Sequence, residues 1–435
     1  MKGDMRLLKD MPSLALAAGA TIVGTGATPE GIDQNPAYYE YTFDTSWHTA
    51  SQPLDAWFAS YSSRRYGNSK NADAAAAWKI LSTAVYNSQA GGWHDDTGVE
   101  WNGLAAPKAA KGINTSEVHT AWGLLVKSGL DATALETFNY DVVNTGREVL
   151  AQLITVMELK LVAAVTKADK AQATAIAKTL MDAYKDIDEL VSCDYGFLLG
   201  PWIKQSKYWT NNSDGATDGY YEWQARSQVS TWWPVAPSAR KLPVTFTKLP
   251  VLDNYANKHW NGLIRDFYAK RVQCYVDQFT IDLPVTKPPA PTPGSCKISA
   301  KGVKGAYLHN YPKSLPGSDG THMPKGGKWP YDTKSLSAAE AWCCKHADCG
   351  GVTEQPAGKY EVRAGSVATH DPAAVVSYIK ATGHTGLNRV NLTKCVTTAE
   401  LDFTQGTTTK YSETPTREKT LSLSATLIAK YAKFL

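Results

Sequence analysis

One glutamate, Glu30, stands on a glycine-rich loop that directly follows a short apolar run. The loop covers residues 24–36 (GTGATPEGIDQNP), and the run before it covers residues 20–23 (ATIV). The run predicts a buried strand, because glycines and a proline interrupt it and a helical pattern begins near Ala37. A carboxylate on a loop at the C-terminal end of a strand has the position of the catalytic groups of barrel enzymes. The alternative is a polar turn whose glutamate is only solvated.

A second polar group, His94, Asp95 and Asp96, raises the question of a metal site. Side chains of adjacent residues do not converge on one ion in a helix or a strand, and no second histidine lies at helical ligand spacing. A structural or catalytic metal site needs three or four converging ligands. The sequence therefore predicts no bound metal.

The elements that must position these groups are mainly helices, since strand signals are scarce from Ala37 to about residue 280. The two clearest helices have apolar stripes, formed by Leu150, Leu153, Ile154, Met157 and Leu161 in the first and by Ile176, Leu180, Tyr184, Ile187 and Val191 in the second. This spacing places each set on one helix face. The short polar segment 167–170 between them predicts an antiparallel hairpin. The pattern indicates an all-helical domain rather than an alternating α/β one.

Several blocks in a fixed order resemble one known family. The Glu30 loop, 138–149 (FNYDVVNTGREV), 197–202 (FLLGPW), 221–232 (YEWQARSQVSTW) and 252–260 (LDNYANKHW) are similar to parts of the α-N-acetylglucosaminidase family of glycoside hydrolases. The resemblance covers roughly residues 1–280. A longer, proline-bearing insertion between Trp233 and Leu252 departs from the family pattern.

The resemblance implies a fold, an activity and three site residues. The chain would hold the end of a (β/α)8 barrel followed by the family's helical domain. It would act on glycans with terminal α-linked N-acetylglucosamine, without metal or organic cofactor. Glu30 would be the nucleophile, and Trp232 and Tyr255 would lend aromatic rings to the far wall of the sugar site. The structural alternative for both rings is ordinary core packing.

The predicted catalytic pair is incomplete. Hydrolysis with retention needs two carboxyl groups about 5–5.5 Å apart, one as nucleophile and one as acid and base. The family's acid/base glutamate lies on an earlier barrel strand, upstream of these residues. Asp33 shares the turn with Glu30, and Asp44, Asp95, Asp96 and Glu100 have no strand-end context. We therefore expect this chain alone not to hydrolyse glycosides.

Composition and charge exclude several functions. Charged residues are 20%, hydrophobic residues 43%, and the net charge is +4, with no basic block that would suggest a nucleic-acid partner. No run of about 18 apolar residues predicts a membrane span. The start of the chain imitates a signal peptide, but cleavage would remove the strand before the Glu30 loop. We expect instead that the chain begins inside a larger domain.

A cysteine-rich segment follows a proline-rich linker. Five of the seven cysteines, Cys296, Cys343, Cys344, Cys349 and Cys395, lie in this segment without the spacing of a zinc ribbon. A helix pattern over 335–344 and a strand pattern over 349–355 resemble PAN/apple modules, which bind carbohydrates or proteins. We expect Cys296 to bond Cys395, and Cys349 to bond Cys343 or Cys344. Cys193 and Cys274 are expected to be buried thiols.

The predicted fold class is mostly α, with a barrel remnant, an all-helical domain and a small disulfide-rich α+β module. The predicted parts are 1–36 (end of the barrel), 37–281 (helical domain), 282–295 (linker), 296–403 (apple-like module) and 404–435 (a loosely ordered tail rich in Ser, Thr and Lys).

Disulfides and the sequons at Asn114, Asn211 and Asn391 indicate the secretory pathway, a lysosome-like compartment or the cell exterior. The alternative function is a non-catalytic protein that binds glycans or proteins through the helices and the apple-like module.

Overall fold

The computed structural model describes the following residues: 4–19, 21–27, 35–67, 70–86, 98–101, 103, 107, 113–208, 210, 217–231, 258–283, 297–298, 303–304, 306–308, 311–312, 314, 332–333, 335–346, 349–355, 358–364, 368–370, 375–381, 387, 389–405 and 409–435.

Most of the described chain is helical. The helices are α1 (Met11–Ala17), α2 (Pro36–Thr45), α3 (Leu54–Arg65), α4 (Ala72–Ala84), α5 (Thr115–Lys127), α6 (Glu136–Thr166), α7 (Lys170–Val191), α8 (Leu199–Lys207), α9 (Asp218–Gln228), α10 (Ala269–Asp282), α11 (Leu336–Lys345), α12 (Arg389–Gln405) and α13 (Thr420–Tyr431). Asn71, Asn114 and Asp169 each cap a helix by accepting a hydrogen bond from the backbone N–H three residues later.

The long helix α6 is the centre of the main core. It pairs with α7 across a short turn, in which Ala168 adopts a positive φ of 54°. Both predicted apolar stripes face this core, although Ile176 is only partly buried. A Cβ atom at Gly146 would collide with the Trp122 ring, so this glycine lets α5 approach α6 closely. The predicted helical hairpin is confirmed.

By length and composition, α6 is also a helix that could cross a membrane. Of its most apolar stretch, however, 67% is buried inside the protein. Its buried face also carries Asp141, Glu148 and Glu158. Asp141 contacts Arg65 of α3, and Glu158 contacts Tyr184 of α7. It therefore packs as the core helix of the domain.

The last two helices return to this core, and the first of them, α12, begins inside the segment 296–403 that was predicted as the apple-like module. Helix α12 lies beside α10, and α13 lies against α5, α6 and α7. Leu427 and Tyr431 of α13 are buried, and the Thr420 hydroxyl donates to Asn139 Oδ1 at 2.6 Å. The predicted loosely ordered tail is wrong, because an apolar helix face and one buried hydrogen bond outweigh its Ser- and Thr-rich composition.

Antiparallel strands form the second, smaller part. They are β1 (Lys297–Ile298), β2 (Val303–Lys304), β3 (Ala306–Leu308), β4 (Asp332–Thr333), β5 (Gly351–Gln355), β6 (Lys359–Arg363), β7 (Ala368–His370) and β8 (Val376–Ala381). One sheet has the order β1-β8-β5-β6-β4, with β2 also paired to β8, and β3 pairs with β7. Helix α11 covers β5 and β6. Val352 and Val362 are buried in the small core beneath it.

The start of the chain differs from the prediction. Residues 21–27 form no strand, and Ile22 and Val23 are exposed. A strand needs neighbours for its backbone hydrogen bonds and its apolar side chains. Among the described residues, no strand lies beside this run.

Of the two described disulfides, one lies in the helical part and one in the small sheet part. Cys274 bonds Cys395, so the predicted Cys296–Cys395 pair is wrong. Cys274 faces α12, which is part of the main core, and is therefore not a buried thiol. Cys343 bonds Cys349, as one of the two predicted alternatives. Cys344 is also disulfide-bonded, and Cys193 is a buried free thiol.

Candidate functional site

The three predicted site residues, Glu30, Trp232 and Tyr255, lie outside the described residues, as do His94, Asp95, Asp96, Cys296 and Asn211. The structure does describe residues close to each of the three in sequence. Asn35 follows Glu30 by five positions, Thr231 precedes Trp232, and His259 follows Tyr255 by four positions. These neighbours show how the protein holds the segments from which the predicted site residues extend.

Asn35, near the end of the Glu30 loop, is anchored by a buried tyrosine. The Tyr86 hydroxyl donates to Asn35 Oδ1 at 3.0 Å, and Tyr86 is 1% exposed. Pro36 then begins α2, since proline suits the first turn of a helix. The Tyr86 carbonyl accepts from the Met5 N–H at 2.9 Å, which attaches the chain start to the same point.

His259 stands in a chain of polar groups in which Glu148, His259 and Glu100 are buried and Arg147 is partly buried. Arg147 Nη1 lies 2.8 Å from His259 Nδ1, and His259 Nε2 lies 2.9 Å from Glu100 Oε1. Arg147 Nη2 also donates to Glu148 Oε2 at 3.1 Å. The groups therefore follow the order Glu148, Arg147, His259, Glu100, and connect α6 with the segments around residues 100 and 259.

The partners determine the tautomer of His259. An arginine guanidinium has only donors, so His259 Nδ1 must accept the hydrogen bond from Arg147. The ring proton is then on Nε2, which donates to the Glu100 carboxylate. The imidazole is neutral in this arrangement and holds its orientation through both nitrogens.

Glu148 is ionised although it is buried. Burial alone would raise the pKa of this carboxyl, but positive charge, including that of Arg147, and a hydrogen bond from Gln152 lower it to about 2. Gln152 Nε2 donates to Glu148 Oε1 at 2.9 Å. Burial, with the nearby charges of Asp141 and Glu148, raises the pKa of Tyr86. The Tyr86 hydroxyl that holds Asn35 is therefore protonated and acts as a hydrogen-bond donor.

Glu158, ten residues further along α6, behaves in the opposite way. Burial raises its pKa well above the usual value, and the charge of Glu100 raises it further. Its Oε1 lies 2.8 Å from the Tyr184 hydroxyl, and its Oε2 has no hydrogen-bond partner among the described residues. Both features suit a neutral carboxylic acid.

Glu148 and Glu158 cannot form a catalytic pair with each other. Ten residues of α-helix separate them by about 15 Å at 1.5 Å per residue. Retaining glycoside hydrolysis needs about 5–5.5 Å between the two carboxyl groups, and inverting hydrolysis about 6.5–9.5 Å. We therefore assign these carboxyls to the support of the fold and of its neighbouring segments.

A further buried pair lies near the start of α6. Arg65 Nη2 donates to Asp141 Oδ1 at 2.9 Å, and the Tyr66 hydroxyl donates to Asp141 Oδ2 at 2.8 Å. Trp78 Nε1 donates to the Tyr66 oxygen at 2.8 Å. Burial raises the pKa of Asp141, while Arg65 opposes that rise. This cluster connects α3, α4 and α6.

Neither a metal site nor a sugar attachment is established in the described residues. They contain no group of three or more His, Cys, Asp or Glu side chains that could hold a metal ion. Asn114 is exposed and caps α5, and Asn391 is exposed on α12. Both asparagines of these sequons are therefore accessible to modification.

Sequence reasoning did not single out the Arg147–His259 chain. Both residues lie inside blocks that resemble the family, but 112 positions separate them in the sequence. Helical periodicity cannot pair residues so far apart. A sequence feature that could have indicated this chain is the presence of Arg, His and Glu in otherwise apolar, buried segments, because buried charges need partners.

Comparisons with known proteins agree with this architecture. The alpha-N-acetylglucosaminidase (NAGLU) C-terminal domain family matches residues 57–293, and the family's TIM-barrel domain matches residues 1–49. Human alpha-N-acetylglucosaminidase is 29% identical over 280 residues, which cover 63% of this chain and 35% of the human protein.

Solved structures give the same picture. The family 89 glycoside hydrolase of Clostridium perfringens in complex with PUGNAc has a TM-score of 0.56 and 24% identity, over 67% of this chain and 33% of that one. A variant of that enzyme in complex with its substrate GlcNAc-alpha-1,4-galactose has a TM-score of 0.55 and 23% identity, with the same coverage. The chain thus shares the fold of that region and spans about a third of the length of these relatives.

Proposed function

Since the chain belongs to the alpha-N-acetylglucosaminidase family through its C-terminal helical domain, we propose that it is part of a glycoside hydrolase for terminal α-linked N-acetylglucosamine. The substrate class follows from the human relative and from the sugar bound to the Clostridium perfringens enzyme. The observation that carries the proposal is the pair of anchors at Asn35 and His259. Each lies within five positions of a predicted site residue, Glu30 or Tyr255.

Glu30 is proposed as the nucleophile. Its loop joins an apolar run to Asn35, which Tyr86 holds by a hydrogen bond of 3.0 Å. A fixed loop end limits the positions that a nucleophile can take, and small displacements of a reacting group are costly for the rate. The second carboxyl would come from barrel strands beyond the one-third of the relatives that this chain spans. The chain as given would then be inactive.

Trp232 and Tyr255 are proposed to form the far wall of the sugar site. An aromatic ring can cover the apolar face of a sugar, and a tyrosine hydroxyl can hydrogen-bond its polar edge. Thr231, next to Trp232, is 2% exposed, and Lys258, three positions after Tyr255, is 4% exposed. The described ends of both segments are thus held inside the protein, which supports a fixed wall.

The decisive assay measures cleavage of an aryl α-N-acetylglucosaminide by three samples. These are this chain, the chain extended at its start with a barrel of the family, and the Glu30→Gln variant of the extended protein. We expect turnover only in the second sample, because glutamine is nearly isosteric but cannot form the covalent intermediate. Circular dichroism confirms that both extended proteins are folded. Turnover by the short chain would refute its inactivity, and full activity of the variant would remove Glu30 from the mechanism.

A Trp232→Ala variant of the extended protein tests the far wall. We expect weaker substrate binding with little change in thermal stability. Unchanged affinity with a large loss of stability would mean that Trp232 is a core residue.

We also propose an oxidising compartment, in the secretory pathway, in a lysosome-like organelle or outside the cell. The Cys274–Cys395 and Cys343–Cys349 disulfides support this, because such bonds persist in those places. Reductive labelling of the protein isolated from its source would test it, since both bonds should then be found intact.

A second candidate function is carbohydrate binding by the small sheet, which we keep as an apple-like module. Its supporting observation is a cluster on three adjacent strands, with Glu354 between two half-buried tyrosines. The hydroxyls of Tyr360 and Tyr378 donate to the Glu354 carboxylate at 3.3 and 3.1 Å. Aromatic rings beside a carboxylate suit a sugar ring with its hydroxyls.

Titration with N-acetylglucosamine, followed by NMR shifts, tests this second function. The double variant Tyr360→Ala, Tyr378→Ala should lose the shifts, whereas Tyr208→Ala, which changes an exposed tyrosine of the helical domain, should keep them. Shifts that survive in the double variant would remove the cluster from sugar binding.

A further inference from the structure

Helices α10 and α12 form an antiparallel pair, although more than 100 residues separate them in sequence. The rings of Phe267, just before α10, and Phe403 lie 5.2 Å apart, and Arg271 Nη1 lies 3.3 Å from Glu400 Oε1. Cys274 is bonded to Cys395. The contacting residues thus advance from 267 to 271 to 274 on the α10 side, while their partners on α12 go back from 403 to 400 to 395. The two helices therefore run in opposite directions.

This register brings the two ends of the intervening segment together. If the pairing of α10 with α12 is extended to the end of α10, Leu283 lies opposite Leu387. Both residues are buried in the same main core, at 2% and 9% exposure. The chain therefore leaves the helical domain and returns to it at neighbouring points.

The returning chain completes the helical domain. Tyr411 packs against Gly262, which has a φ of 89° and where a Cβ atom would collide with the tyrosine ring. Arg226 Nη1 donates to the Tyr411 hydroxyl at 3.2 Å. At the far end, the Tyr431 hydroxyl donates to Asp186 Oδ2 at 2.6 Å. The described residues from 387 to 435 are thus integral to the main core.

The small sheet part has a core of its own. Tyr311, Ala339, Val352 and Val362 are buried together, with the Cys343–Cys349 disulfide at the centre. All members of this cluster lie between the two neighbouring points at Leu283 and Leu387. The disulfides follow the same division, since Cys274–Cys395 belongs to the helical pair.

The attachment point is remote from the candidate site. Lys170 Nζ, at the turn between α6 and α7, donates to the carbonyls of Thr280 and Leu283 at 2.6 and 2.8 Å. Glu148 and Thr166 are 18 residues apart on α6, which corresponds to about 27 Å at 1.5 Å per residue. The sheet part therefore joins the end of the domain opposite the Arg147–His259 chain.

We propose that residues 284–386 are an inserted, independently folding domain carried on the α10–α12 hairpin, and that the family's helical domain in this chain is discontinuous, formed by residues 36–283 and 387–435. Neighbouring entry and exit points are the condition under which a host domain tolerates an insertion. The insertion is then attached at a distance from the proposed sugar site and forms no wall of it.

The first experiment replaces residues 284–386 by a short Gly/Ser linker and follows helical unfolding by circular dichroism. We expect one cooperative transition within a few degrees of that of the full chain, and peptide mapping should still find Cys274 bonded to Cys395. The matched control ends the chain after Leu283, which also removes α12 and α13, and should lose cooperative unfolding. Equal stability of the two shortened proteins would overturn the proposal.

The second experiment does not depend on refolding of a shortened chain. Recognition sequences for a specific protease are placed near residues 288 and 384 of the full chain, and the folded protein is then cleaved. We expect the sheet part to separate while the two helical pieces stay together, as one band without reductant and two bands with it. Precipitation of the helical pieces, or a sheet part that unfolds on release, would contradict the proposal.

Discussion

The helical domain and the start of the chain differ in how much of their apolar side chains is exposed to water. In the helical domain Trp122, Leu150 and Ile154 are completely buried. Before the Glu30 loop, Leu14 is 65% exposed and Val23 is fully exposed. Apolar surface of this kind marks a place where another structure packs. The helical domain buries its apolar side chains, whereas the described part of the segment that matches the family's barrel leaves several of them exposed.

Charged groups show the same difference. The Arg65–Asp141 pair in the helical domain is shielded from water, with side chains 11% and 3% exposed. The Lys9–Asp10 pair near the start has side chains 40% and 36% exposed. Buried charges depend on their partners for stability, whereas exposed pairs contribute little.

Among the charged groups, the largest effect is expected from Arg65→Met. This variant leaves the Asp141 carboxyl buried without its arginine, which should lower the free energy of unfolding by about 3 kcal/mol. Urea unfolding measures the loss. The matched control is Arg64→Met at the adjacent position, where the ion pair with Glu40 is exposed and the loss should be under about 0.5 kcal/mol. Equal losses in the two variants would break the contrast between buried and exposed charge.

A smaller effect is expected from pH. Burial raises the pKa of Asp188 to about 6, against hydrogen bonds from the Gly262 and Arg265 N–H groups. A carboxyl with a raised pKa in the folded state stabilises the protein at low pH, and this contribution is lost as the pH rises through 6. Unfolding at pH 5 should therefore need about 1 kcal/mol more than at pH 7 on account of this group.

Asp188→Asn is the control for that profile. The amide oxygen can still accept the two backbone hydrogen bonds but does not titrate, so the rise in stability between pH 7 and pH 5 should become smaller. An unchanged profile in the variant would assign the pH dependence to other buried acids, such as Glu158.

The smallest effect on stability is expected from Leu14→Ser and Val23→Ser at the chain start. Because both side chains already contact water, the free energy of unfolding should change by less than about 0.5 kcal/mol. Self-association, measured by light scattering, should fall as the apolar surface shrinks. The comparison variant Leu150→Ala should cost about 2–5 kcal/mol, since its side chain is completely buried. A similar cost at Leu14 would show that the chain start has a packing partner after all.

The sequence predicted the parts of the fold that depend on local pattern. The stripes of α6 and α7 were evident because 3.6-residue periodicity acts within one helix. The disulfide partner of Cys395 was not evident from the sequence. Its partner on α10 is 121 positions away, and Cys296 lies nearer in the sequence. Periodicity also failed for α13, whose face combines Leu427 and Tyr431 with buried Thr420 and Ser424. For the candidate site, only the neighbours of Glu30, Trp232 and Tyr255 are described, and their long-range contacts have no local sequence signal.

The hydrogen bond between Thr420 and Asn139 has a consequence for synthesis. Its two residues are 281 positions apart, and ribosomes add about 5–20 residues per second. Roughly 15–55 s therefore pass between the emergence of α6 and the arrival of the helix that covers it. During that interval a long apolar helix is without part of its packing, and it is open to chaperones or to aggregation. The yield of folded protein should thus depend on the speed of translation through residues 284–386, a stretch whose described residues contribute no side chain to the main core.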